Sequence, residues 1–153
     1  MTRPALPKLL LIGAKFFGYD QAILRNLQAR GYDVDLVSDC PPARLTFKVV
    51  KKLAPPLARR LSEAHFLPVL QAQPMNDYAR IFVLKGEALT RRAVQMLRQR
   101  HPQAPATLYL WDSLLNMPFG DESVDLYDRV FSFDPHDTQH HSHIQLQPLF
   151  FFG

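Results

Sequence analysis

Cysteine is almost absent from this chain: Cys40 is the only one among 153 residues, so no internal disulfide can form and no cysteine pair with zinc or redox spacing exists. A reducing cytoplasm is the expected compartment. Glycine is scarce too, at six residues. The loop Gly13 to Gly18 (GAKFFG) carries two glycines where a dinucleotide fingerprint has three, and it lacks the Gly-Lys-Ser/Thr of a P-loop, which argues against a bound dinucleotide. Long hydrophobic runs are missing as well. The apolar run after Pro7 is too short for a signal-peptide core or a membrane span, so a soluble protein is expected. There is no internal repeat and no low-complexity segment.

What is present suits one ordinary domain over 1–153, since 47% hydrophobic and 21% charged residues allow a sizeable core. The net charge of +4 favours an anionic partner, whether a phosphorylated ligand, a nucleic acid or an acidic membrane surface. Nucleic acid is not expected, because the Lys and Arg concentrate between Arg44 and Arg60 with no interleaved aromatic beyond Phe47.

Strand and helix signals alternate along the chain. Lys8 to Ile12 is a continuous apolar run of the kind that parallel strands show when both faces are buried. From Asp20, which can cap a helix, the apolar positions Ala22, Ile23, Leu27 and Ala29 fit a helical stripe that ends at Gly31. Asp33 to Val37 then alternates as a strand. Leu45, Val49, Leu53, Leu57 and Leu61 recur every four residues with basic neighbours, which predicts an amphipathic basic helix that Pro55-Pro56 must kink or split. Tyr78 to Leu84, Ala106 to Trp111 and Arg129 to Phe133 read as further strands, with a helix through Leu89, Ala93, Val94 and Leu97 between the first two. The pattern predicts an α/β layer structure with a mostly parallel sheet and right-handed crossovers.

Such a sheet binds ligands beyond the carboxyl ends of its strands. Gly13 to Asp20, Lys85-Gly86-Glu87, Trp111-Asp112-Ser113 and Asp134 all stand at those ends, so they are expected to share one rim. Each also has a plain structural reading. Asp112 and Ser113 suit the cap of a short helix, Asp134 a turn, and Asp137 the cap of the following segment. Lys85-Gly86-Glu87 suits either a close ligand approach with a cation for phosphate or a turn that opens a helix. His136 and His140 would share a helix face, with His141 and His143 close behind. No cysteine accompanies them, so they read as an exposed loop and no metal is expected.

The order K-L-L-L-I-G at the first strand, D-Y-A-R-I-F-V-L-K-G-E-A-L (Asp77 to Leu89), L-Y-L-W-D-S (Leu108 to Ser113), Y-D-R-V-F-S-F-D (Tyr127 to Asp134) and L-Q-P-L-F (Leu146 to Phe150) resembles the N-terminal domain of bacterial GT-B glycosyltransferases of lipopolysaccharide, capsule and spore-coat biosynthesis. The resemblance implies a Rossmann-like α/β fold with helices on both faces of the sheet, the acceptor-side half of an enzyme that moves a sugar from a nucleotide-sugar donor to a polysaccharide or lipid-linked acceptor, with no cofactor and no metal. It makes Asp112 the first candidate for acceptor binding or base, with Asp20 and Asp134 behind it. Gly13, Lys15, Gly18, Lys85, Gly86, Glu87, Trp111 and Ser113 become candidates that face phosphate or sugar.

The family's nucleotide-sugar-binding domain has no counterpart before Gly153, so activity of the chain alone is not expected. The alternatives are a standalone binding or regulatory module and an inactive remnant. An apolar Phe150 to Phe152 would favour a homodimer or a partner chain that covers it. The basic stretch Arg44 to Arg60 suits a solvated helix face, or a peripheral contact with an anionic membrane on its cytoplasmic side.

Overall fold

A computed structural model describes residues 5–13, 17–39, 44–117 and 119–149. Lys15, Cys40 and Phe150 to Phe152 lie outside the described residues. The first strand, β1 (Lys8–Gly13), is buried along almost its whole length. The helix α1 (Tyr19–Ala29) follows, and Gly31 takes a left-handed φ of 89° where the chain turns back. Gly18, not Asp20, occupies the N-cap position of α1, and Asp20 is buried in the first turn.

The next strand is β2 (Asp33–Ser38). The basic stretch forms two helices, α2 (Arg44–Leu53) and α3 (Pro55–Ala72), divided at Ala54, with Pro55 and Pro56 opening α3 where their missing N–H groups cost nothing. Phe47, Ala58, Phe66 and Leu70 turn inward, so the four-residue leucine spacing marks the outward side of these helices.

Next come β3 (Arg80–Leu84) and α4 (Arg91–Arg100), whose N-cap Thr90 accepts the Ala93 N–H at 3.3 Å. The last part of the sheet is β4 (Ala106–Leu110), β5 (Arg129–Ser132) and β6 (Ile144–Leu146), with α5 (Pro135–His140) between the final two strands. Two 3₁₀ turns, Leu114–Asn116 and Val124–Leu126, join β4 to β5. The short strand β6 carries no alternation that would reveal it, since only Ile144 is buried.

All neighbouring strands are parallel, in the order β2-β1-β3-β4-β5-β6. The fold is α/β and Rossmann-like. One face packs Leu10, Ile12, Ile81, Val83 and Leu108 against α2, α3 and α4. The other packs Leu9, Leu11 and Leu84 against Ile23, Leu24 and Leu27 of α1. No helix among the described residues is long and apolar enough to cross a membrane.

Candidate functional site at the carboxyl edge of the sheet

The strand order reverses direction at β1, because β2 lies on one side of it and β3 on the other. The two crossovers leave in opposite directions there and open a crevice at the carboxyl ends. Gly13 closes β1 at this point, and its carbonyl accepts the Asp39 N–H at 2.9 Å. Asp39 is buried just beyond β2. Its carboxylate accepts the N–H of Glu87 at 3.0 Å and that of Ala88 at 3.3 Å, which fixes the turn after β3. Glu87 in turn bridges two cations, Lys51 of α2 at 2.5 Å and Lys85 at 2.6 Å. Beside Gly13, a Cβ would stand 3.6 Å from the Asp20 Cβ, so Asp20 lies directly behind the strand end.

Electrostatics and backbone conformation both set this corner apart. Burial pushes the Asp39 carboxyl up to about 7, against the Ala88 and Glu87 N–H donors; the Glu87 charge adds to the rise and Lys85 opposes it. Burial also works to raise Glu87, but the hydrogen bonds from Lys51 and Lys85 win and hold it below its ordinary value. Lys85 itself sits in the left-handed region at φ 72°, followed by Gly86 at 68°. A lysine there is strained, and such residues concentrate at functional turns. A Cβ on Gly86 would meet Leu108 Cδ1 at 3.2 Å, so the turn also lies tightly on the sheet.

A second polar group lies at the ends of β4 and β5, organised by a residue of unexpected role. Asp137 is buried and accepts from the Ser132 hydroxyl at 2.6 Å, the Leu114 N–H at 3.2 Å and the Ser113 hydroxyl at 3.4 Å. It ties the two strand ends together rather than capping α5. That cap is Asp134, whose Oδ1 accepts the His136 N–H at 2.9 Å. This bond, with a second from the Ser113 hydroxyl, holds the Asp134 carboxyl below its ordinary value. Ser113 caps the 3₁₀ turn, accepting the Leu115 N–H at 3.4 Å. Asp112 is half-buried; its Oδ1 accepts from the Ser113 N–H and the Asn116 amide, both at 3.0 Å. Its Oδ2 has no hydrogen-bond partner among the described residues.

Tyr19 and Trp111 join the two groups by an edge-to-face contact with ring centroids 5.9 Å apart, and the Lys85 N–H bonds the Tyr109 carbonyl at 2.8 Å. Gly13, Gly18, Asp20, Lys85, Gly86, Glu87, Trp111, Asp112, Ser113 and Asp134 therefore share the carboxyl edge in two clusters, and Lys15 lies outside the described residues. Asp39 and Lys51 are site residues that the sequence did not single out, and Asp137, expected as a cap, is instead the tie between the two strand ends. Asp39 had a signal available, since β2 also ends on a carboxylate, as the apolar runs of β4 and β5 do.

Of the histidines, His136 and His140 stack at 3.9 Å, and His141 Nε2 meets Asp121 at 2.9 Å, beside a cavity of about 200 Å³. No group of three or more His, Cys, Asp or Glu among the described residues could hold a metal ion. A larger recess, about 330 Å³, lies away from this edge, among Leu27, Tyr32, Phe82, Phe131 and the amino-end residues Arg80 and Arg129. No protein-family model matches the chain, and no curated protein matches it.

Proposed function

We propose that this chain is the acceptor-side domain of a sugar-transferring enzyme, with the carboxyl edge of β1, β3 and β4 as its working surface. One observation carries the reading. The carboxyl ends of these three strands share one edge: the turn after β3 is bonded to β4 through the Lys85 N–H on the Tyr109 carbonyl, and Asp39 links Gly13 at the end of β1 to Glu87. An acceptor hydroxyl attacking a nucleotide sugar needs a base within hydrogen-bond reach.

Among the three candidate carboxylates, Asp112 suits that role best, because its Oδ2 has no partner among the described residues. Asp134 is committed to its cap, and hydrogen bonds that lower its pKa make it a weaker base. Asp20 is buried. Lys85 and Lys51 already share Glu87, so any diphosphate they contact must compete with that carboxylate. The donor would be a nucleotide sugar and the acceptor a polysaccharide or lipid-linked glycan, with the partner half supplying most of the donor site.

The test is transfer of labelled sugar from nucleotide-sugar donors into glycan and lipid fractions by cells that carry the wild-type chain or Asp112→Ala. A base makes a contribution of about 10²- to 10⁴-fold, and a loss in that range is expected. Wild-type transfer by the variant would overturn the assignment of Asp112.

A further inference from the structure

The outward side of α2 and the first turns of α3 carries a row of aliphatic side chains left uncovered by the core. Leu45 is 82% exposed, Val49 56%, Leu53 80%, Leu57 48% and Leu61 44%. At about 3.6 residues per turn, Leu45, Val49 and Leu53 form one stripe along α2. Lys48 and Lys52 each follow a member of that stripe by three residues and line one edge of it, and Arg60 stands in the same relation to Leu57. The opposite side of α2 is held by the protein: Phe47 is buried, and Lys51 is bound to Glu87.

From Leu45 to Ser62 the chain has five Lys and Arg and no Asp or Glu. Lys51 and Arg59 are occupied by Glu87 and Glu122. Lys48, Lys52 and Arg60 are exposed and meet no acidic partner among the described residues. An apolar stripe with an unneutralised basic edge matches a surface that is apolar beneath and negative on top. A second copy of the chain fits worse, because face-to-face pairing of this row would bring six like charges together. Scattered single leucines need no explanation, but three aliphatic side chains in register along α2, followed by Leu57 and Leu61 one turn apart on α3, do.

We propose that α2 and the start of α3 dock on an anionic lipid bilayer, with Leu45, Val49 and Leu53 entering the headgroup boundary and Lys48, Lys52 and Arg60 against lipid phosphates. The proposal goes beyond the sugar-transfer reading and does not depend on it. Its structural consequence is that the Lys51–Glu87 pair ties the docked helix to the turn after β3, so the candidate site would lie beside the membrane surface.

The experiment is co-sedimentation of the full chain with vesicles of phosphatidylcholine alone and of phosphatidylcholine mixed with phosphatidylglycerol. Binding to the mixed vesicles is expected to exceed binding to the neutral ones by about tenfold or more and to weaken with salt. It should fall by about tenfold in Leu45→Ser/Leu53→Ser and in Lys48→Glu/Lys52→Glu, both with the wild-type circular dichroism spectrum, since these side chains lie outside the core. No binding to either vesicle, equal binding to both, or unchanged binding of the leucine variant would overturn the proposal. So would a dimer that Leu53→Ser dissociates while the wild type ignores vesicles.

Discussion

Asp39 Oδ2 accepts the backbone N–H of Glu87 at 3.0 Å, joining residues 48 positions apart and locking the turn after β3 to the end of β2. The bond sits in a buried corner, and that burial makes Asp39 titrate near neutrality.

A carboxyl whose value rises from 3.8 to about 7 on folding holds its proton more tightly in the folded state. Its contribution to stability is complete below 3.8 and is lost as pH climbs through about 7. The difference of about three pH units corresponds to about 4 kcal/mol. Asp39→Asn should remove this decline. Urea unfolding at about pH 5 and about pH 8 checks it, and an unchanged decline in the variant would contradict the assignment.

His101 works in the opposite direction. It is buried against Tyr78, with ring centroids 4.9 Å apart, and neither ring nitrogen has a partner among the described residues. Burial, then the Arg100 charge, holds its value below 6.5, against a smaller pull from Asp77. A base weakened by folding stabilises fully above 6.5, and the effect is lost as pH falls below that value. His101→Phe should therefore be more resistant to acid than the wild type, while Asp39→Asn should be more plainly acid-sensitive than the wild type, because the opposing carboxyl has gone.

Lys85 should be the most informative position for backbone strain. A left-handed non-glycine residue costs about 1–2 kcal/mol, whereas the partly exposed pair with Glu87 returns less than about 1 kcal/mol. Lys85→Gly is expected to match or exceed the wild type in stability, and Lys85→Val, β-branched at the same φ, to fall below it. Thermal unfolding of the three proteins gives the order directly.

Asp137 and Asp112 should separate structure from function at the other cluster. Asp137→Ala strands the Ser132 hydroxyl and the Leu114 N–H in a buried site, and about 2–4 kcal/mol of stability should go with them. Asp112→Ala removes bonds at a half-exposed turn and should cost about 1 kcal/mol or less. Chemical denaturation of both variants checks the contrast.

Much of the sheet was legible because parallel strands buried on both faces leave continuous apolar runs, as Leu9 to Ile12 and Ile81 to Leu84 do. The strand β6 was not, because a three-residue edge strand with Gln145 and Leu146 exposed leaves no period to detect. The leucine spacing of α2 and α3 was plain in the sequence, but period alone does not say whether a stripe faces the core or solvent. Here Phe47 and Phe66 took the inside. The carboxylates at strand ends were visible, yet their division of labour depended on tertiary partners. Ser132 and Leu114 make Asp137 a tie, and only the fold brings them to it.

Sugar binding at the carboxyl edge, as proposed above, is open to direct test. The most direct measurement is an amide and indole NMR titration of the full chain with uridine diphosphate glucose and with a panel of mono- and disaccharides. Binding at this edge should shift Gly13, Gly18, Lys85, Gly86, Glu87 and the Trp111 indole. An unresponsive spectrum, or shifts confined to Leu27, Phe82 and Phe131 around the recess on the α1 face, would contradict it.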